Sequence, residues 1–337
     1  MSIVNTFSLQ SNRQIKINFD GGDLSSDAGL LLIKEFISKL GIERLLNRSF
    51  KTNDSAVFRY HTDKDNLLQM IYMIMAGYFE DDASDELTKD PIFFNRMDED
   101  TLKQFQEISQ ILRKRIYSIQ MPQAVILDLD STLLAAYGKQ EGRAFNFHYR
   151  SNGYHPLVCY AGITGDLIKI QLRDGAAYSC TGVTNFLQPI LDEYLNDYPT
   201  IHLLLRGDSG FATPDLYKQC EENGTSYVIR LMENFIKESK SGFDFSAVSS
   251  HNRIVNANRV QVHALAYNIF NWFRRLVLSA KMRKQRIDTV RLKLLKIATK
   301  VVHSARYITF KLCSSCPYKE EFYDTLSAIG KLNVQPE

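Results

Sequence analysis

Ala124-Val125-Ile126-Leu127-Asp128-Leu129-Asp130-Ser131-Thr132 is the stretch on which the reading of the fold turns. A short apolar run that ends in polar residues is the pattern of a buried strand delivering side chains at its C-terminal end. Downstream, Leu157 to Ile163 and Leu167 to Leu172 flank Thr164-Gly165-Asp166 and predict a hairpin closed by a tight turn. Asn185 to Asn196 predicts a helix, and Ile201 to Leu205 a second buried strand that runs into Arg206-Gly207-Asp208-Ser209-Gly210. Thr213 caps a further helix with Pro214 at its first position, ending near Glu222, and Ser226 to Leu231 reads as one more strand. From Ala257 to Leu278 the apolar residues keep a helical period, and Trp272, beside the core face, reads as packing.

Three strands, a helix, a strand, a helix, a strand and a long helix is the element order of a ribonuclease-H-like α/β core, a mixed sheet flanked by helices. Upstream, Ile15, Ile17 and Phe19 alternate with polar residues and predict a strand ending at Gly21-Gly22. Ser25 to Leu46 has helical spacing with a break at Gly41, and Asp63 to Ala76 and Asp100 to Ile116 are predicted helices. The domain expectation is a mainly helical module over 1–118, the core over 119–280 and a basic helical region over 281–337.

The longest apolar stretch, Leu67 to Tyr78, is too short to cross a bilayer, which takes roughly 20 residues. The N-terminal residues lack the order of a secretory signal, so the expectation is a cytoplasmic protein with reduced thiols at its five cysteines and no membrane partner. Cys313-Ser314-Ser315-Cys316 has half-zinc-site spacing without a second pair, and two free thiols are the default. The net charge of +3 is modest but segregated. Residues 274–311 hold twelve basic residues against one acid, Asp288, whereas acids crowd 80–100. The basic stretch reads either as a phosphate-contacting surface or as a solvated helix face.

Asp130 and Asp208 each end a predicted buried strand, with Asp128 on the same face as Asp130. Buried carboxylates need partners, and a shared Mg²⁺ or Mn²⁺ is one. Glu233 opens a helix-forming segment on which Lys237 and Lys240 share its face. Three carboxylates of this kind suit phosphodiester chemistry, which requires alignment and charge stabilisation more than covalent help. Taken as residues alone, they read equally well as turn-forming aspartates and a solvated glutamate.

Further stretches carry a resemblance. These are Gly77-Tyr78-Phe79-Glu80-Asp81 through Leu87-Thr88-Lys89-Asp90-Pro91, Leu127 to Thr132, Phe145-Asn146-Phe147-His148-Tyr149 through Gly153-Tyr154-His155-Pro156-Leu157, Leu205 to Phe211, Glu233 to Glu238, and Asn256-Ala257-Asn258-Arg259 leading to Ala266-Tyr267-Asn268. Across nearly its whole length the chain resembles bacterial insertion-sequence transposases with a DDE catalytic domain, of the group carrying a β-stranded insertion between the second Asp and the Glu. The resemblance implies that Asp130, Asp208 and Glu233 are the catalytic metal ligands for Mg²⁺ or Mn²⁺, with Lys240 as the lysine seven residues on and Asp128 and Lys237 in support. It implies double-stranded DNA partners (transposon ends and target), a homodimer or larger synaptic complex, and a bacterial, nucleoid-associated location. The expected DNA contacts are Arg143, His148, Arg150, Arg259, Arg274, Arg275, Lys281, Arg283, Lys284 and Arg286.

The chain departs from that pattern where Ser226 to Leu231 runs directly into Met232-Glu233, with Ile229 where the group places an Arg. The expected reading is an internal deletion of the β-insertion that cripples activity. Two alternatives stand beside it: a non-catalytic DNA-binding remnant, and a haloacid-dehalogenase-like phosphatase with Asp128 as nucleophile and Asp130 as general acid.

Overall fold

Alternate residues of the opening stretch, Val125, Leu127 and Leu129, are buried, while Ala124, Ile126, Asp128 and Asp130 on the other face are half-buried. That period of two makes a strand with one face in the core. The structure is a computed structural model describing residues 6–21, 26–54, 60–78, 96–229, 240, 242–246, 248–304 and 306–334. In chain order it runs β1 (Phe7–Ser8), β2 (Ile15–Gly21), α1 (Leu30–Lys39), α2 (Ile42–Ser49), α3 (Asp63–Ala76), α4 (Glu99–Ile119) and β3 (Ala124–Ser131). Then come β4 (Leu134–Ala135), β5 (Ala144–Asn146), β6 (Ser151–Tyr154), β7 (Leu157–Ala161), β8 (Leu167–Gln171), α5 (Val183–Asp197), β9 (His202–Gly207), α6 (Pro214–Glu222) and β10 (Ser226–Ile229). The long α7 (Arg253–Val277) is followed by short turns at Ala280–Arg283 and Ile287–Val290, then β11 (Thr299–His303), β12 (Ile308–Cys313) and α8 (Lys319–Lys331).

The central sheet has the order β10-β9-β3-β7-β8, with β3, β7 and β8 antiparallel and β9 and β10 parallel to β3. Numbered within the sheet this is 3-2-1-4-5 from the β8 edge, the ribonuclease-H-like topology expected from the element order. β8 is an edge strand, and α7 covers it. Asn268 both accepts from and donates to the backbone of Leu167 (2.8 Å each), Gln261 donates to Ile170 O (2.8 Å) and Tyr267 Oη to Gly165 O (2.8 Å). Trp272 is buried, as read.

Local chemistry places the N-terminal helices. Thr62 and Asp65 form a capping box on α3, and Asp98 and Thr101 another on α4. Gly41, at φ +66°, makes the left-handed turn that breaks α1 from α2. The C-terminal region, read as basic and helical, also contributes the β11–β12 hairpin. β12 pairs in parallel with β2, so the two ends of the described chain share the sheet β1-β2-β12-β11. β11 carries mostly exposed residues, which leaves no apolar alternation to read. Residues 144–154 contribute β5 and β6, which with β4 form the small sheet β4-β6-β5. The junction at 231–233 and most of the acidic stretch 80–100 lie outside the described residues.

Candidate active site

β3 and β9 pair in parallel with Asp128 opposite Arg206. Asp130 lies two residues further along β3, and Asp208 follows the last residue of β9, Gly207, on the neighbouring strand. Both aspartates therefore lie at the C-terminal ends of adjacent strands at the sheet's centre. Asp130 Oδ1 accepts from the Ser131 amide (2.7 Å), and Asp208 Oδ1 caps the 3₁₀ turn Ser209–Phe211 by accepting from Gly210 N (2.9 Å).

Asp128 has a different task. Arg206 holds it with two bonds of 2.6 Å, from Nε and Nη2, and this hydrogen-bonded carboxylate raises the guanidinium pKa. A Cβ on Gly162 would stand 2.5 Å from Asp128 Oδ2, so the neighbouring strand end is shaped around the pair. A carboxylate held bidentate by arginine is a poor nucleophile, and the phosphatase alternative loses its central residue. Asp128 and Arg206 are a strut beneath Asp130 and Asp208.

Lys240 is the supporting residue that the structure brings in. Its Nζ donates to Leu133 O (3.0 Å) and Thr132 Oγ1 (3.2 Å) at the end of β3. Burial lowers its pKa, while the charge of Asp130 acts in the opposite direction. Glu233 and Lys237 lie outside the described residues. Among the described residues no group of three or more His, Cys, Asp or Glu side chains is arranged to hold a metal, so two of the three expected ligands are in view. The donor set fits the expected ions, because carboxylate oxygens are what hard divalent cations take.

A loop missed by sequence reasoning links the two aspartate strands. Ser179 Oγ accepts from Ser131 Oγ (3.0 Å), and its side chain lies 3.1 Å from where a Cβ on Gly210 would be. Buried Arg173 fixes this loop by donating from Nη1 to the carbonyls of Tyr178 (3.1 Å), Ser179 (3.1 Å) and Thr181 (2.7 Å) and from Nε to His155 O (2.9 Å). His155 Nδ1 bonds Ala177 O (2.6 Å), and burial lowers this histidine's pKa. The only sequence signal was a charged residue where β8 leaves the sheet.

The expected DNA contacts divide by environment. His148 and Arg150 are exposed on the β5–β6 turn, and Arg143 beside it is half-exposed with Nε on Ala136 O (2.8 Å). Lys281, Arg283, Lys284 and Arg286 are exposed just after α7. Arg259 bonds Ser249 Oγ (3.2 Å), and Arg274 bonds Asn271 Oδ1 (3.0 Å). Arg275 is committed to the buried Asp166 at 2.9 Å. Nearby Arg291, counted in the same basic stretch, is wholly internal. It caps the C-terminal end of α3 through Ile74 O (2.9 Å) and Met75 O (2.7 Å) and also holds Gly242 O (2.6 Å).

A mixed sheet in the order 3-2-1-4-5 with aspartates ending its two central strands defines a protein of the ribonuclease-H-like class. A model of the transposase DDE domain, group 1, matches residues 7–96, 93–232 and 231–334, and the chain belongs to that family of transposases. No curated protein sequence matches the chain. Among solved structures it is similar to a piggyBac transposase in a synaptic complex with hairpin DNA, at 14% identity over 60% of this chain and 50% of that one, with a TM-score of 0.29. It is also similar to the catalytic domain of the Mos1 mariner transposase, at 9% identity over 56% of this chain and 97% of that one, with a TM-score of 0.26. The chain therefore spans half the length of the first of these. Among the described residues, no helix is long and apolar enough to cross a membrane.

Proposed function

We propose that this transposase domain cleaves and joins DNA phosphodiesters at insertion-sequence ends, with Asp130, Asp208 and Glu233 holding Mg²⁺ or Mn²⁺. The observation that supports the reading is the parallel pairing of β3 and β9, with Asp130 near the C-terminal end of the one and Asp208 directly after the C-terminal end of the other. The bound ions would stabilise charge on the attacking and leaving oxygens. The protein's own share is positional. Arg206 compensates Asp128 so that its charge does not compete beside the pair. The Ser131–Ser179 bond and the turn capped by Asp208 fix the two strand ends relative to each other. Lys240, anchored at Leu133, supplies positive charge beside Asp130, where a phosphate would approach. In this reading 1–118 serves DNA binding and assembly, 119–280 is the catalytic core and 281–337 is an accessory basic region. Two ends must be joined, so a dimer or larger synaptic complex on duplex DNA, in the bacterial nucleoid, is the working form.

The direct run of Ser226 to Leu231 into Met232-Glu233 leaves no room for the insertion immediately before Glu233. It favours a second reading, a DNA-binding remnant without turnover. Incubating the protein with its element's ends and Mg²⁺ or Mn²⁺ tests both. The proposal expects weak, metal-dependent products that are abolished by Asp130→Ala or Asp208→Ala. DNA binding that survives both substitutions in a protein without any cleavage would establish the remnant instead.

A further inference from the structure

Phe147 is 85% exposed in a turn that is anything but loose. The turn, residues 147–150, joins β5 to β6, and buried Asn146 organises it by accepting from the amides of His148 (3.1 Å) and Tyr149 (3.2 Å). Asn146 Nδ2 in turn donates to Gly175 O (2.8 Å), tying the hairpin to the loop that carries Ser179. Arg150 closes the turn at φ +51°, a conformation uncommon for a residue with a side chain. Phe145, itself 43% exposed, packs edge-on against Phe147 at 5.2 Å, so the two rings form one ordered apolar surface in solvent. Tyr137 and Tyr178, on the flanking loops, are 83% and 80% exposed.

Two further observations say what this surface meets. From Gly142 to Gly165 there is no acidic residue, while Arg143, His148 and Arg150 sit on the hairpin itself. The hairpin is also continuous with the carboxylates, because Tyr149 Oη donates to Ser131 O (3.2 Å), one residue from Asp130. A partner that presents both flat apolar faces and negative charge beside the carboxylate pair is a nucleic-acid strand. Intact duplex buries its base faces in its own stacking and leaves only the outer face of each terminal pair. Unpaired nucleotides offer both face and phosphate.

We propose that the β5–β6 hairpin is a stacking platform for unpaired nucleotides of a DNA strand end, with Phe147 and Phe145 under the bases and Arg143 and Arg150 on the phosphates. It rests on the reading of Asp130 and Asp208 as a DNA-processing site and adds to it the state of the DNA that the site holds. The test uses the full chain and two probes, a blunt duplex and the same duplex with a short single-stranded tail containing 2-aminopurine, both in metal-free buffer. Expected are tighter binding of the tailed probe and quenching of its fluorescence. Phe147→Ala should weaken tailed binding at least about fivefold and relieve the quench, with blunt binding and Tm unchanged. Phe147→Trp should restore both.

Equal affinity for the two probes, with Phe147→Ala indifferent, overturns the platform while leaving the carboxylate site intact. Failure to bind either probe, together with a Mn²⁺ affinity that Asp130→Ala and Asp208→Ala do not change, overturns the underlying site as well. A Phe147→Ala variant that sediments as a smaller species and keeps full tail preference assigns the rings to a contact between copies and overturns the platform.

Discussion

Two regions of this molecule are basic, and they use their charge in opposite ways. Residues 274–311 are the richer in lysine and arginine, yet part of that charge is committed within the fold: Arg275 to Asp166, Arg291 to the end of α3 and Lys296 to Asp27. The β5–β6 hairpin has two arginines and a histidine but presents His148 and Arg150 outward, beside exposed rings and one hydrogen bond from the end of β3. The number of charges in a window therefore says little about a binding surface. What decides is whether each guanidinium or ammonium finds its partner within the fold.

Breaking the inward-facing region should cost most. Arg291→Met would leave the carbonyls of Ile74, Met75 and Gly242 without their charged donor in a buried site. A loss of about 3 kcal/mol is expected, read from urea unfolding midpoints at constant m. A loss below about 1 kcal/mol would show that the C-terminal end of α3 has other means of satisfaction. Next comes Arg173→Met, which frees the loop from Ala177 to Thr181. It should cost about 2 kcal/mol and also weaken Mn²⁺ binding, because the loop spans the two aspartate strands. Lost stability with unchanged Mn²⁺ affinity would reduce Arg173 to a fold clamp.

Those two arginines mark where the sequence stopped being legible. The strands leading to Asp130 and Asp208 were readable because each is an apolar run, a local pattern that survives folding, and the same runs gave the element order. Arg291 was counted as surface charge because its partner Met75 lies 216 residues away. Nothing local separates an arginine aimed at a carbonyl from one aimed at water. Asn268 was quoted within a motif, but its pairing with both backbone atoms of Leu167 needs the docked helix to be seen. Asp128 looked like half of an acidic pair until the register put Arg206 opposite it. β11 and the β5–β6 hairpin escaped because short strands with exposed side chains leave no periodicity.

Acid should loosen the same inner framework by a smaller amount. His155 and His263 are both held neutral by burial, and each Nδ1 bonds a backbone carbonyl, Ala177 O and Phe243 O. With the folded pKa below the unfolded value of about 6.5, the unfolded chain binds more protons between the two. Stability is then full above about pH 6.5 and falls as pH drops toward the folded value, by at most about 1.4 kcal/mol per pH unit for each group. His155→Asn should flatten part of that acid limb in a pH series of denaturation midpoints. An unchanged limb would mean that His155 is not among the groups responsible.

The smallest effect on the fold, and the sharpest on the comparison, belongs to Lys281, Lys284 and Arg286. They are three of the outward-facing members of the 274–311 region, exposed in the stretch that follows α7. Replacing each by Ala should change stability by less than about 0.5 kcal/mol. If any of them meets DNA, its contact is with phosphate, and its removal should weaken blunt and tailed duplexes alike and flatten the dependence of log K on log salt by about one unit per contact. The hairpin should behave differently: Phe147→Ala alters the preference for unpaired ends without altering the salt slope, because a ring displaces no counterions. A salt slope that stays at its wild-type value when all three cations are gone would remove Lys281, Lys284 and Arg286 from the DNA surface, leaving other charges to supply the electrostatic part of binding.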